Sequence, residues 1–374
     1  MPHVLHLIDT GGPGGAETVF RDLILGLATR GWENTAVVPY EGWLSADLRA
    51  KGVEPIVLET QGAFDMGYMM ALRRTIRMLT PDVVQTHLLT TGVYATLSDA
   101  LASRPIVSTF HGLPDLPERD TFIGVKTRLF RGNRNTVVCV SAFLREQFIE
   151  RGLFSDARTE VIHNGVALDG FGPGRHSPLR HELDIPGDVP VVGALGNVRP
   201  SKAYDVLLKA FAELRSRIPS AHLVIVGQAE GRLFDALVGL IQDLGLGDSV
   251  VFTGFREDVP QLLRGMDVLA ISSSDEGFSL AAVQAMATGL PVVATRCGGP
   301  EEIVVDGVTG ILVENGRPAA LASALFELLP DRYRRRSLGE AGRMRAKEQF
   351  SLGAMVDRYI RLYRRELAGA RGAP

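Results

Sequence analysis

From Ser272 the chain reads Ser-Ser-Ser-Asp-Glu276-Gly277-Phe278-Ser279-Leu280, and a nearly unbroken apolar run continues to Gly289. The polar loop is the end of a strand read at 267–272, and the spacing predicts that it turns at Gly277 into a buried helix. Gly289 and Pro291 supply the stop. A buried helix whose N-terminus opens at the carboxyl end of a strand is an anion site, because free backbone N–H groups and the macrodipole face outward there. Glu276 stands at that mouth, where a carboxylate can accept sugar hydroxyls or cap the same N–H groups; Ser279 and Asp275 are alternative caps. Gln284 is the one long polar side chain within the apolar run. Burial would oblige its amide to find a partner, either a ligand hydroxyl or a neighbouring carbonyl.

Three further turns carry chemistry. Gly193-Ala-Leu-Gly196-Asn197-Val198-Arg199-Pro200-Ser201-Lys202 follows the strand read at 190–196. Arg199 and Lys202 can hold two phosphates, one through a planar fork and one through a point charge; read alone they are equally well two surface cations. Asp9-Thr10-Gly11-Gly12-Pro13-Gly14-Gly15-Ala16-Glu17 follows the first strand. Its glycines allow close backbone approach to a ligand, but Glu17 stands where the dinucleotide fingerprint needs its third glycine. Ser108-Thr109-Phe110-His111-Gly112 ends another strand, and His87 ends the one before it. Either histidine is placed to face a ligand, and His87 is the competitor of His111. Gly298-Gly299-Pro300-Glu301 is a further glycine turn aimed at the same anion region.

Short Val- and Ile-rich runs alternate with amphipathic stretches along the whole chain. Strands are read at 3–8, 35–39, 55–58, 82–87, 105–109, 136–140 and 160–163, with helices at 15–30, 66–79, 91–102 and 142–151. Runs without in/out alternation indicate strands covered on both faces, as in a parallel sheet between helices. The rhythm breaks over 169–190, which carries Gly170, Gly172, Pro173, Gly174, Pro178, Pro186, Gly187 and Pro190. It restarts at 190–196 and continues through 221–227, 249–254, 267–272, 290–295 and 310–313. The expectation is two doubly wound α/β domains, 1–168 and 191–351, with a linker at 169–190. The tail over 321–367 is helical and rich in arginine, and reads as a solvated face of packed helices.

Composition narrows the function. The 374 residues suit two cores; 45% are apolar, 22% are charged and the net charge is −3. That balance gives no reason to expect a nucleic-acid partner. Cys139 and Cys297 form no C-x-x-C pair and no His-x-x-x-His appears, so no metal site is expected. Nothing approaches the roughly 18 apolar residues of a membrane span, and the first strand starts at once. A cytoplasmic location is expected, with peripheral contact at the inner membrane face compatible with it.

Together these segments resemble the retaining glycosyltransferases of family 4, over nearly the whole chain. The resemblance implies the GT-B fold: two Rossmann-like parallel-sheet domains facing a central cleft, with a C-terminal helix at 352–374 joining the first domain. It implies that Gly14 and Gly15 approach the donor diphosphate and that Arg199 and Lys202, after Gly196 and Asn197, hold its phosphates. Glu276 would contact donor-sugar hydroxyls, with Gly277, Phe278, Ser279 and Leu280 around it, and His111 would lie near the reacting centre. The base would lie against Gly254, Phe255 and Arg256. No metal and no cofactor are implied; the nucleotide-diphosphate sugar is a substrate, and the acceptor attacks from the leaving-group face with retention. One position departs from the family. The second Glu of its E-x7-E motif, implied at the ribose, is Gln284, which lacks the charge that strengthens such a bond. A GT-B sugar-nucleotide epimerase and a degenerate, non-catalytic nucleotide-sugar-binding protein share the architecture. The acceptor, whether glycan, lipid-linked or small molecule, is left open. The segment 121–134 mixes apolar and basic residues and suits either an anionic bilayer or a solvated surface.

Overall fold

The computed structural model describes residues 1–60, 65–99, 104–115, 123–131, 135–174 and 177–371. The chain divides into two compact units, one of Met1–Gly165 with Leu352–Pro374, the other of Val166–Ser351.

The first unit is a parallel sheet of seven strands ordered β3-β2-β1-β4-β5-β6-β7. The strands are β1 (His3–Leu7), β2 (Glu33–Val38), β3 (Ile56–Val57), β4 (Val83–His87), β5 (Ile106–Phe110), β6 (Thr136–Cys139) and β7 (Thr159–Val161). Helices α1 (Gly15–Ala28), α2 (Trp43–Ala50), α3 (Met66–Leu79), α4 (Leu89–Ser98), α5 (Ile123–Arg131) and α6 (Ala142–Glu150) connect them. Every residue of β1, β4 and β5 is buried, which explains why the sequence shows no alternation there. The polar residues of these strands are therefore paired. Gln85 Nε2 donates to Thr109 Oγ1 at 2.9 Å, and Thr86 and Ser108 share a hydroxyl hydrogen bond. The final helix, α15 (Leu352–Arg371), joins this network: the Tyr363 hydroxyl donates to Gln85 Oε1 at 2.8 Å, and Tyr359 lies 2.8 Å from Thr109 Oγ1.

The second unit repeats the plan with six strands ordered β10-β9-β8-β11-β12-β13. They are β8 (Val191–Leu195), β9 (His222–Val226), β10 (Val250–Phe252), β11 (Val268–Ile271), β12 (Val292–Thr295) and β13 (Gly310–Val313). The helices are α7 (Pro178–Glu182), α8 (Tyr204–Arg215), α9 (Gly231–Asp243), α10 (Val259–Leu263), α11 (Leu280–Thr288), α12 (Gly299–Ile303), α13 (Pro318–Leu328) and α14 (Arg332–Gln349). The glycine- and proline-rich segment after Asp169 is anchored in this unit. Leu179 is fully buried, and Arg180 pairs with Asp267 at 2.9 Å. The arginine-rich tail is less uniformly solvated than its composition suggests. Arg345 donates to the Ile303 and Glu302 carbonyls at 2.8 Å, and Arg335 reaches Asp267 at 3.6 Å.

Candidate functional site

In both sheets the strand order reverses beside the first strand, between β1 and β4 and again between β8 and β11. Loops leaving the carboxyl ends of such strands form the binding crevice of doubly wound sheets. In the second unit those loops carry Lys202 and Glu276; in the first they carry the glycine turn and His87, with His111 one strand further on.

The Glu276 loop is fixed before its helix begins. α11 starts at Leu280, not at Gly277, because Ser279 stays extended and its Oγ accepts the Ala282 N–H at 3.3 Å. Ser279 is thus the cap, and the Glu276 carboxylate is left for other work. The Glu276 backbone is clamped by the second glycine turn: its N–H donates to Cys297 O at 3.2 Å, and its carbonyl accepts the Gly299 N–H at 2.7 Å. Only glycine fits at 299, since a Cβ there would come within 2.8 Å of the Glu276 oxygen and 2.7 Å of Phe278 Cα.

Lys202 closes the short turn Pro200–Lys202 after β8. Its Nζ lies 3.0 and 2.8 Å from the two Glu276 carboxylate oxygens, and Ser273 Oγ donates to Glu276 Oε2 at 2.8 Å. The pair is 20% and 13% exposed, so it is partly desolvated and its members hold each other firmly. Gly196 has φ +142, and a Cβ there would lie 2.7 Å from Lys202 Cε; the glycine makes room for the lysine stem. The Lys202 and Ser201 carbonyls accept from Ser272 Oγ and Ser274 N–H at 2.8 Å, joining the two loops.

The remaining expected contacts of this unit fall out differently. Arg199 is exposed, and its guanidinium has no partner among the described residues. Asn197 Oδ1 accepts the Gln228 N–H at 2.9 Å, so that part of its side chain holds the turn. Phe255 is 40% exposed. Arg256 is engaged by Asp258 at 2.7 Å and Glu182 at 2.9 Å, and those hydrogen bonds hold its guanidinium above its usual range. Gln284 is half-buried rather than buried, because Ala282, Val283, Ala285 and Met286 take the inward face of α11. Its amide has no protein partner among the described residues and is under no obligation to find one.

In the first unit Gly14 is the N-cap of α1 and contributes no capping side chain. The Glu17 carboxylate folds back over Gly14, so a Cβ on that glycine would meet Glu17 Oε2 at 2.4 Å. Glu17 is 8% exposed. His87 and His111 are hydrogen-bonded to each other, His87 Nδ1 to His111 Nε2, at 2.9 Å. Burial holds His111 down to about 4 and His87 well below the usual imidazole value, which favours the neutral form of both. Asp115 Oδ2 accepts the backbone N–H of His111 and Gly112, pinning that turn. Burial raises Asp115 to about 7 and Asp9 to about 6. Asp115, Ser273 and the pairing of the two histidines escaped the sequence reading. The carboxylate four residues after His111 was a readable turn signal; the Ser273 contact was not.

These loops can hold an anion beside a polyol in the second unit. The profile described as "Glycosyl transferases group 1" matches residues 177–345, and that of "Glycosyltransferase Family 4" matches 13–169. The lipopolysaccharide core biosynthesis glycosyltransferase LpsE of Rhizobium meliloti is 30% identical over 94% of this chain and 96% of its own. The chain belongs to the group 1 glycosyltransferases. As such it is an enzyme that transfers a sugar from a nucleotide-sugar donor. This glycosyltransferase is also 31% identical to the D-inositol 3-phosphate glycosyltransferase of Mycolicibacterium smegmatis, over 90% of its chain and 77% of the relative. Anabaena Alr3699/HepE, solved in complex with UDP and glucose, superposes with a TM-score of 0.88 at 25% identity, covering 98% of this glycosyltransferase and 100% of HepE. The two parallel sheets are those of the GT-B fold.

Proposed function

We propose that this glycosyltransferase is a retaining, metal- and cofactor-independent hexosyltransferase in which the second unit binds the donor through the Lys202–Glu276 pair. The observation that carries the reading is that pair: a cation and a carboxylate, partly desolvated, at the carboxyl edge of β8 and β11. Donor binding exchanges their mutual contact for two ligand contacts. Lys202 turns to the diphosphate and Glu276 to sugar hydroxyls, while Arg199, whose guanidinium has no partner to leave among the described residues, adds a second cation. Negative charge builds on the leaving diphosphate in an oxocarbenium-like transition state. Lys202, Arg199 and the start of α11 supply fixed positive potential where it develops. Gly277, Phe278 and Leu280 line that start, and Gln284 takes the ribose position, as the family resemblance assigns. For the first unit the same resemblance gives Gly14 and Gly15 an approach to diphosphate, and His111 a place near the reacting centre.

HepE's complexes with UDP and with UDP-glucose support a uridine diphosphate hexose as the donor to try first. The acceptor is a hydroxyl of a glycan or glycoconjugate, a reading supported by the part LpsE takes in lipopolysaccharide core biosynthesis. No described helix is long and apolar enough to cross a membrane. α3 exposes Met66, Met70 and Met78 beside Arg74 and Arg77, and α5 exposes Val125 and Leu129 beside Arg128, which supports peripheral contact of a cytoplasmic enzyme with an anionic bilayer. Residues 121, 122 and 132–134 of the segment first considered for that role lie outside the described residues. Glu276→Ala and Lys202→Ala are each expected to abolish transfer from a UDP-hexose while circular dichroism stays native. Full transfer by either variant sinks the assignment.

A further inference from the structure

His87 and His111 present a question that the transfer reading leaves unanswered: which of them carries the shared proton. His87 ends β4 and is fully buried; His111 follows β5 and is half-buried. Their ring planes lie within 13° of parallel with centroids 5.1 Å apart, and one hydrogen bond of 2.9 Å joins His87 Nδ1 to His111 Nε2. A neutral imidazole has one N–H and one lone pair, so a neutral pair can share that bond in only two ways. In the first, His111 Nε2–H donates. His87 then carries its own proton on Nε2, an atom that is buried and has no hydrogen-bond partner among the described residues. In the second, His87 Nδ1–H donates and the atom left unpaired is a bare lone pair. A buried N–H without an acceptor is the rarer and costlier defect. The Phe20 ring packs against His87 at 5.3 Å, steeply inclined to it. The network therefore selects the second arrangement, and His111 must hold its proton on Nδ1.

We propose that His87 is a positioning residue that fixes His111 as a neutral imidazole with Nδ1–H outward, so that His111 donates a hydrogen bond to a substrate oxygen. Protonation of His111 would place two N–H groups face to face, or force His87 into the orphaned Nε2–H form. The pair therefore opposes any role of His111 as a base. Burial acts in the same direction on both rings. The functional half of the inference rests on the transfer reading above; the tautomer half stands without it.

The test is a two-bond proton–nitrogen correlation spectrum of the full-length protein labelled with 15N-histidine, resonances assigned with single histidine variants. The expected spectrum shows His111 as the Nδ1–H tautomer. An Nε2–H pattern for His111 overturns the proposal. His87→Leu removes the donor, so His111 should redistribute between tautomers and kcat fall about tenfold, the factor that one hydrogen bond of about 1.4 kcal/mol supplies, with KM for the donor nearly unchanged. His87→Asn returns an amide N–H to the place of Nδ1 and should restore both the single tautomer and most of kcat. A purely structural His87 would show no such rescue, and a His111 tautomer unchanged in His87→Leu overturns the proposal even if activity drops. If the spectrum is as expected but His111→Ala transfers sugar at the full rate, the failure lies with the role given to His111 in the reaction, and the tautomer assignment survives.

Discussion

Lys202→Met keeps the length of the side chain and removes the ammonium that faces Glu276. In the native protein Nζ lies 2.8 and 3.0 Å from the carboxylate oxygens, with the partners 20% and 13% exposed. The variant leaves Glu276 with the Ser273 hydroxyl as its only side-chain donor among the described residues. Breaking a deeply buried pair costs about 3–5 kcal/mol and breaking a surface one about 0–1. The intermediate burial here places the cost at about 2 kcal/mol, or a fall of about 4–8 °C in the melting of a unit this size. Glu276→Gln alone should cost less, because Lys202 is long enough to reach water. The double variant Lys202→Met/Glu276→Gln has no stranded charge and should recover at least about 1 kcal/mol of the loss, a positive coupling in the cycle. Transfer behaves oppositely. A cation about 4 Å from a phosphate contributes about 4 kcal/mol at an effective dielectric of 20, so losing it costs at least about a hundredfold in turnover. The double variant should therefore be stable and inactive. Thermal melts and initial rates on the four proteins decide the matter. Lys202→Met melting with the native protein, or losses that simply add in the double variant, would show that Lys202 and Glu276 do not stabilise each other.

Further outcomes concern other parts of the chain. Burial raises the Asp115 carboxyl from 3.8 to about 7, so between those values the folded state holds a proton that the unfolded chain has released, and stability falls as pH rises. Asp115→Asn cannot titrate; its melting temperature relative to native should climb from pH 4 to 7 and level off above, and a constant difference would show Asp115 to be an ordinary carboxylate. Gln284→Glu puts a charged acceptor at the position proposed for the ribose and should tighten UDP binding several-fold by calorimetry. An unchanged affinity would place the ribose elsewhere. Tyr363→Phe strips the donor from buried Gln85 Oε1 and should cost about 1–2 kcal/mol by denaturant titration of the whole protein. No loss would mean that α15 is held by its apolar face alone.

The sheets were legible because β1, β4, β5, β8 and β11 are covered on both faces, and that burial is written directly as Val and Ile runs without alternation. β3, a two-residue edge pairing, shrank from its expected 55–58 because an edge strand is specified by few neighbours. The loops carrying Glu276, Lys202 and the paired glycines were also readable, since a glycine turn between strand and helix is a local signal. Side-chain partners across the fold were not. Arg256 meets Glu182 from 74 residues away. Lys202 and Glu276 are equally distant in sequence and meet only because β8 and β11 are neighbours. His87 and His111 met for a similar reason: β4 and β5 pair with His87 opposite Thr109, which brings the residue two further on within reach. The half-exposure of Gln284 is not legible in the sequence, because a run apolar nearly all round does not say which narrow arc of the helix stays open.

Donor binding at the Lys202–Glu276 pair of the second unit is proposed, and it is open to direct test. The most direct measurement is nucleoside diphosphate release from a panel of UDP-, GDP- and ADP-hexoses by the native protein and by Glu276→Ala. Turnover of a UDP-hexose is expected from the native protein, and none from Glu276→Ala at a native-like melting temperature. Release at the native rate by Glu276→Ala would contradict it.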